Sequence, residues 1–153
     1  MMIKKILVAT DGSEPAQKAL DYALDLAENC GAEVVILSVV PPVVLPVLTE
    51  DPNIPPIVTA REMDRVSSRL VSVHENILKE ALAKAQSKKP RLKVSTKLAD
   101  GRPADRIVEI AMKEDFDLIV MGSRGLHGIS EFLLGSTTHR VADHCKKPLL
   151  IIK

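Results

Sequence analysis

Short apolar runs alternate with stretches of helical periodicity along all 153 residues, and this alternation restricts the fold more than any other feature. The apolar runs have the length of strands that are buried on both faces. They cover Lys5–Ala9, Glu33–Val40, Asp117–Met121 and Leu149–Ile152. A fifth run, Leu92 to Leu98, alternates apolar and polar residues, which is typical of an edge strand with one wetter face. The order β-α-β-α-β-α-β-α-β predicts one α/β domain over residues 1–153, a doubly wound parallel sheet with helices on both faces.

Local signals set the ends of the predicted helices. Ser13 and Pro15 suit a helix start, and Gly31 suits its end. Thr59 and Glu62 have the spacing of a capping box, which opens the longest helix. Its predicted apolar stripe begins Met63, Val66, Leu70, Val73, Ile77 and continues to Ala85, with His74 off the stripe and exposed. Pro41 to Val58 holds six of the ten prolines and predicts a long ordered excursion over the surface.

A glycine array follows the fourth predicted strand. It reads Met121-Gly122-Ser123-Arg124-Gly125, then nine residues, then Gly135-Ser136-Thr137 at the start of a helix. Glycines leave backbone N–H groups accessible, and a helix N-terminus adds partial positive charge. Both features favour phosphate binding. The array is neither a Walker A loop nor a Gly-x-Gly-x-x-Gly fingerprint.

Individual side chains near this array allow two interpretations each. Arg124 either neutralises a phosphate or is a solvated loop residue. Ser136 and Thr137 can donate to phosphate, and Ser136 can also cap its helix. Thr10-Asp11-Gly12 ends the first strand, at the expected crevice beside the fourth strand. Asp11 there contacts a nucleoside or a phosphate-bound cation, or simply forms a turn.

Composition excludes several classes of function. A net charge of +1 and 2% aromatic residues argue against nucleic-acid binding, which uses basic surfaces and stacking rings. The four histidines have no metal-site spacing, and no catalytic constellation stands out, although His127 lies within the nine-residue insert. Cys30 and Cys145 have the character of small buried or half-buried hydrophobes. Without a signal peptide or membrane-length apolar run, a cytoplasmic location and no membrane partner are expected.

These motifs resemble the universal stress protein family over essentially the whole chain. The resemblance is carried by Ala9-Thr10-Asp11-Gly12-Ser13, by the glycine array, which is similar to the Gly-x2-Gly-x9-Gly-Ser/Thr motif of the ATP-binding branch, and by Lys147 to Lys153. It implies a five-stranded parallel sheet in the order 3-2-1-4-5, with an adenine nucleotide at the switch point. It implies adenosine contacts from Ala9, Asp11, the backbone near Val39, Met121 and Gly122, and phosphate contacts from Arg124, Gly125, Gly135, Ser136 and Thr137. Thr10, between Ala9 and Asp11, is a further candidate binding residue. It also implies a homodimer through Leu149 to Ile152, an apolar edge strand that would otherwise promote aggregation.

The sequence thus favours a regulatory protein that binds ATP, or AMP or ADP, with Mg²⁺. Nucleotide occupancy would order the insert Leu126 to Leu134 and present a changed surface to an unknown protein partner. Two alternatives remain open, a slow ATPase or phosphotransferase and an interaction module without nucleotide. No general base and no Walker lysine supports the first, and the intact glycine array opposes the second.

Overall fold

The computed structural model describes residues 2–43, 53, 59–125 and 134–153. Within these residues, strands and helices alternate as the sequence predicts. In chain order they are β1 (Lys5–Ala9), α1 (Glu14–Cys30), β2 (Glu33–Val40), α2 (Ala60–Lys88), β3 (Val94–Asp100), α3 (Pro103–Lys113), β4 (Leu118–Gly122), α4 (Ser136–His144) and β5 (Leu149–Ile152). No helix in the described part of the chain is both long and apolar enough to cross a membrane.

The strands form one five-stranded sheet in the order β3-β2-β1-β4-β5. Every pairing is parallel: β1 aligns Ile6 with Val34 of β2 and with Leu118 of β4. The predicted α/β class, strand order and edge position of β3 are therefore confirmed. From β1 the chain adds β2 and β3 on one side and then β4 and β5 on the other side. This change of side between β1 and β4 opens a crevice beyond their carboxyl ends.

Each face of the sheet buries its own aliphatic cluster. On one face, Val8 and Ile36 pack with Leu20 and Leu24 of α1 and with Leu78 of α2. On the other face, strand residues pack with Ile107 of α3, Val141 of α4 and Phe116, which is fully buried. Helices thus cover both faces, because each parallel crossover needs a helix and both sides of the strands are apolar.

The residues predicted to begin and end α1 and to begin α2 make the expected capping contacts. The Ser13 side chain accepts a hydrogen bond from the backbone N–H of Ala16 at 3.4 Å, and Gly31 ends α1 with φ 69°. Thr59 and Glu62 form the predicted capping box: Glu62 N–H donates to Thr59 Oγ1 at 3.2 Å, and Thr59 N–H donates to Glu62 Oε2 at 2.7 Å. These contacts join neighbouring residues, so they depend little on the rest of the fold.

Three predictions are wrong in detail. The third strand runs from Val94 to Asp100 instead of Leu92 to Leu98. The predicted stripe of α2 is wrong in its first half, because Met63, Val66 and Val73 are exposed and His74 is buried, whereas Leu78 and Ala85 are buried as predicted. Cys30 is exposed at the end of α1, whereas Cys145 is half-buried as predicted.

Two predicted segments lie mostly outside the described residues. Pro41 to Val58 is described only at residues 41–43 and 53, and the insert Leu126 to Leu134 only at Leu134. His127 falls in the undescribed part. The predictions for these segments stay predictions.

Candidate functional site

A cavity of about 400 Å³ opens at the carboxyl ends of β1, β2 and β4. All eleven residues that the sequence analysis named for a ligand site line it: Ala9, Thr10, Asp11, Val39, Met121, Gly122, Arg124, Gly125, Gly135, Ser136 and Thr137. These residues come from four separate parts of the chain, and the parallel sheet brings them together at one edge. Their role in binding stays a prediction.

One part of the cavity wall is apolar. Leu37, Val39 and Met121 lie on the strands, and Leu70 and Ile77 belong to α2. Such a wall suits the flat face of a base or another apolar group, which gains free energy by leaving water.

The turn after β1 places Asp11 in the cavity. Thr10 N–H donates to the carbonyl of Leu37 at 2.9 Å, which ties the turn to β2. Ser13 N–H donates to Asp11 Oδ1 at 2.9 Å, so the Asp11 side chain is held by its own turn. The two interpretations of Asp11 are therefore compatible, because it forms the turn and lines the cavity at once.

The glycine array forms the polar part of the wall. Gly135 N–H donates to the Ser123 carbonyl at 2.7 Å, and Ser123 N–H donates to the Ile152 carbonyl at 2.7 Å. Gly135 is the N-cap of α4 and has extended backbone, with no side-chain capping bond. Ser136 is the first residue of the helix, so its hydroxyl does not act as the cap. The N-terminus of α4 therefore points into the cavity region, where an anion would be favoured.

The absence of side chains at Gly125 and Gly135 creates the space in this wall. A Cβ on Gly125 would overlap Asp11 Oδ2. A Cβ on Gly135 would lie 3.3 Å from the Cα of Arg124 and 3.6 Å from the backbone N of Gly125. The two loops thus approach each other as bare backbone, and neither glycine position has room for a side chain.

Thr138 is a residue of this site that sequence reasoning missed. Its side chain is buried, and Thr138 Oγ1 donates to the Gly122 carbonyl at 2.9 Å. The bond joins the start of α4 to the end of β4 and fixes the helix relative to the loop. No local pattern distinguishes Thr138 from Thr137, because the bond spans 16 residues of chain.

His74 is the second missed residue, and its predicted exposure is wrong. The side chain is only 9% exposed, lines the cavity, and lies with Nδ1 2.6 Å from Ser38 Oγ of β2. Helical spacing could have indicated this burial, because His74 is four residues from both Leu70 and Leu78 and therefore lies on the same face of the helix. A stripe drawn through Val73 instead follows a 3.5-residue repeat, which drifts off the buried face of a straight helix.

Burial lowers the pKa of His74 below its ordinary value, and the negative charge of Asp11 opposes this effect. The folded protein thus favours neutral His74, while the unfolded chain accepts a proton near pH 6.5. Stability from this group is present above that pH and is lost as the pH falls through the folded-state pKa.

We therefore expect the free energy of unfolding to fall between pH 7 and pH 5 through His74. In the variant S38A/H74L this part of the pH dependence should disappear, since the imidazole group is removed. Urea titrations at several pH values measure it. A pH dependence identical in both proteins would show that His74 does not contribute.

Ser38, His74 and Asp11 come close in space, yet they do not form a nucleophilic triad. Ser38 has no exposed surface, so its hydroxyl cannot reach a substrate. Within the described ranges, no three His, Cys, Asp or Glu side chains are placed to hold a metal ion. The chemistry that these described residues offer is recognition of an anion beside an apolar group.

Comparison with known proteins gives one consistent result. The model of the universal stress protein family matches residues 2–153. Universal stress protein YxiE of Bacillus subtilis is 36% identical over 152 residues, covering 99% of this chain and all of that protein. The structure of universal stress protein UspA from Lactobacillus plantarum superposes with a TM-score of 0.79 at 26% identity, covering 100% of this chain and 99% of that one. A universal stress protein crystallised with cAMP superposes with a TM-score of 0.71 at 27% identity, covering 100% and 99% of the two chains.

Proposed function

This chain belongs to the universal stress protein family, and we propose that it is a cytoplasmic regulator that binds an adenine nucleotide, with ATP and Mg²⁺ as its ligand. The observation that carries the proposal is the cavity at the switch point of the sheet, which has an apolar wall beside a bare-backbone loop and a helix N-terminus. That pairing matches a ligand with a flat apolar end and an anionic end.

The glycine array is suited to the phosphates. The N–H groups of the first turn of α4 and the hydroxyls of Ser136 and Thr137 supply donors, and Arg124 supplies a positive charge. Gly125 and Gly135 keep side chains off this part of the wall, which supports the assignment.

The strand ends are suited to the adenosine. Ala9, Val39 and Met121 give an apolar surface, while Thr10 and Asp11 give polar atoms beside it. Asp11 Oδ2 lies against Gly125, at the junction of the two regions. A carboxylate there can hold a cation carried by the phosphates, because Mg²⁺ prefers oxygen ligands.

A relative supports adenine as the base, since one similar universal stress protein was crystallised with cAMP. As a regulator, the nucleotide-bound protein would present a surface that a protein partner distinguishes from the free form. The nucleotide would shift the equilibrium between two conformations of the protein because it binds one of them more tightly than the other.

The proposal is tested by the nucleotide content of the protein. We would purify it without added nucleotide, denature it, and identify released small molecules by anion-exchange chromatography and mass spectrometry. Stoichiometric ATP would support a bound ligand that is slowly released, and an empty protein would then be titrated with ATP and Mg²⁺. No binding at millimolar nucleotide would overturn the proposed function.

We also propose that two copies of the chain form a homodimer through β5. It is an edge strand that pairs with β4 only, among the described strands, and Leu149, Leu150 and Ile151 are half-buried. An apolar edge strand favours pairing with a second copy.

Replacing Ile151 with lysine is expected to convert the dimer to a monomer. Ile151 belongs to neither core cluster, so the folded monomer should tolerate the change. Two-fold pairing would bring like charges together across the interface. Light scattering after size-exclusion chromatography measures the mass. A wild-type protein of single-chain mass, or an I151K variant that stays dimeric, would contradict the proposed interface.

A further inference from the structure

His74 is the polar member of an otherwise apolar helix wall. The other α2 residues that line the cavity are Leu70, Val73 and Ile77. A buried polar side chain in such a wall costs free energy unless its hydrogen bonds are satisfied. One ring nitrogen, Nδ1, is satisfied by Ser38. The position of the second nitrogen, Nε2, decides what the residue does in the cavity.

The contact with Ser38 orients the ring. Ser38 is completely buried in β2, and His74 Nδ1 is the partner that the structure gives its hydroxyl group. The contact fits either tautomer of the ring, and we assign Ser38 as the donor to Nδ1 because a buried hydroxyl needs an acceptor for its hydrogen. Because burial keeps the ring neutral, its single proton is then on Nε2. Since Nδ1 faces Ser38, Nε2 on the other side of the ring points away from β2, and His74 is one of the residues that line the cavity.

The charged group that acts on His74 within the described chain is Asp11, on the turn after β1. Its carboxylate is already directed elsewhere, because Oδ1 accepts from Ser13 N–H and Oδ2 lies against Gly125. The neighbouring strand β2 contributes the uncharged Ser38. The Nε2–H group is thus a neutral donor beside an anionic side chain.

We propose that His74 is a specificity-determining residue, which donates through Nε2–H to an acceptor atom of the bound nucleoside while Ser38 fixes its tautomer. This inference rests on the proposed function and deepens it. The glycine array recognises phosphate in any compound, whereas the Nε2–H donor recognises only a ligand that places a ring nitrogen or sugar oxygen against α2. The cavity therefore selects nucleoside phosphates over bare polyphosphates.

The test compares ATP with inorganic tripolyphosphate by calorimetric titration of the wild-type protein and of S38A/H74L. The double variant removes both partners of the buried hydrogen bond, so its stability should remain close to that of the wild type. We expect ATP affinity to fall about tenfold, the value of one such hydrogen bond. The affinity for tripolyphosphate should be the same in both proteins, and if the wild type does not bind it, neither should the variant. Unchanged ATP affinity, or an equal loss for both ligands, would overturn the proposal.

A second variant separates ligand contact from packing. In S38A/H74Q the glutamine amide restores an N–H donor near the position of Nε2 without the bond to Ser38. Recovery of ATP affinity relative to S38A/H74L is expected. Failure to recover in a protein of wild-type stability would count against a donor role.

Nitrogen NMR of the histidine ring gives an independent readout. We expect protonated Nε2 and unprotonated Nδ1 at pH 7.5, and a shift of Nε2 on addition of ATP but not of tripolyphosphate. Protonation at Nδ1, or no shift with bound ATP, would overturn the inference alone. A wild-type protein that binds no nucleotide would instead overturn the proposed function itself.

Discussion

Replacing Gly125 with alanine is expected to lower ATP affinity roughly 100-fold, the effect of losing one or two charge-assisted hydrogen bonds. The new Cβ would overlap Asp11 Oδ2, in the space between the two loops. Either Asp11 leaves its bond to Ser13 or the loop moves, and both changes disturb the wall where the proposed phosphate and adenosine regions meet. Titration with ATP and Mg²⁺ measures the loss.

The same substitution should leave the fold largely intact. Among the described residues beyond its chain neighbours, the added Cβ would meet the end of one side chain and no backbone atom within 4 Å. We expect the free energy of unfolding to change by less than about 1 kcal/mol. Wild-type affinity in G125A would contradict the assignment of the loop to phosphate. A G125A protein that is largely unfolded would contradict the expectation that the fold stays intact.

Replacing Gly122 with alanine is expected to lower the free energy of unfolding by about 3 kcal/mol, the upper part of the usual range for overpacking. A Cβ there would lie 2.8 Å from the carbonyl carbon of Pro15, 2.9 Å from Pro15 Cβ and 3.0 Å from the backbone N of Ala16. These atoms include the backbone of the first turn of α1, which cannot yield as a side-chain end can. Urea denaturation measures the change.

Gly122 and Gly125 thus form a matched pair. The same chemical change, three residues apart, should mainly reduce stability at Gly122 and mainly reduce affinity at Gly125. If G122A were as stable as the wild type, the close approach of α1 to the end of β4 would be wrong. Measuring both properties for both variants checks each prediction against the other.

Local signals in the sequence predicted much of this molecule. The capping residues Ser13 and Thr59 were found because each cap joins residues three positions apart. The strands β1, β2 and β5 were found with their observed ends because apolar runs of this length, between turn signals, suit buried parallel strands. The order of the strands came from resemblance to a family and not from these patterns.

The sequence by itself therefore determined the elements and the loop: which segments are helix or strand, and where glycines leave the backbone without side chains. Only the tertiary structure decided which side chains complete the cavity. His74 is buried because α2 rests on β2 at Ser38, 36 residues away along the chain, and Thr138 bonds to Gly122 across 16 residues. The physical reason is that helical spacing is compatible with a stripe through Val73 or through His74, and contacts between distant segments decide which side chain is buried and what it bonds to.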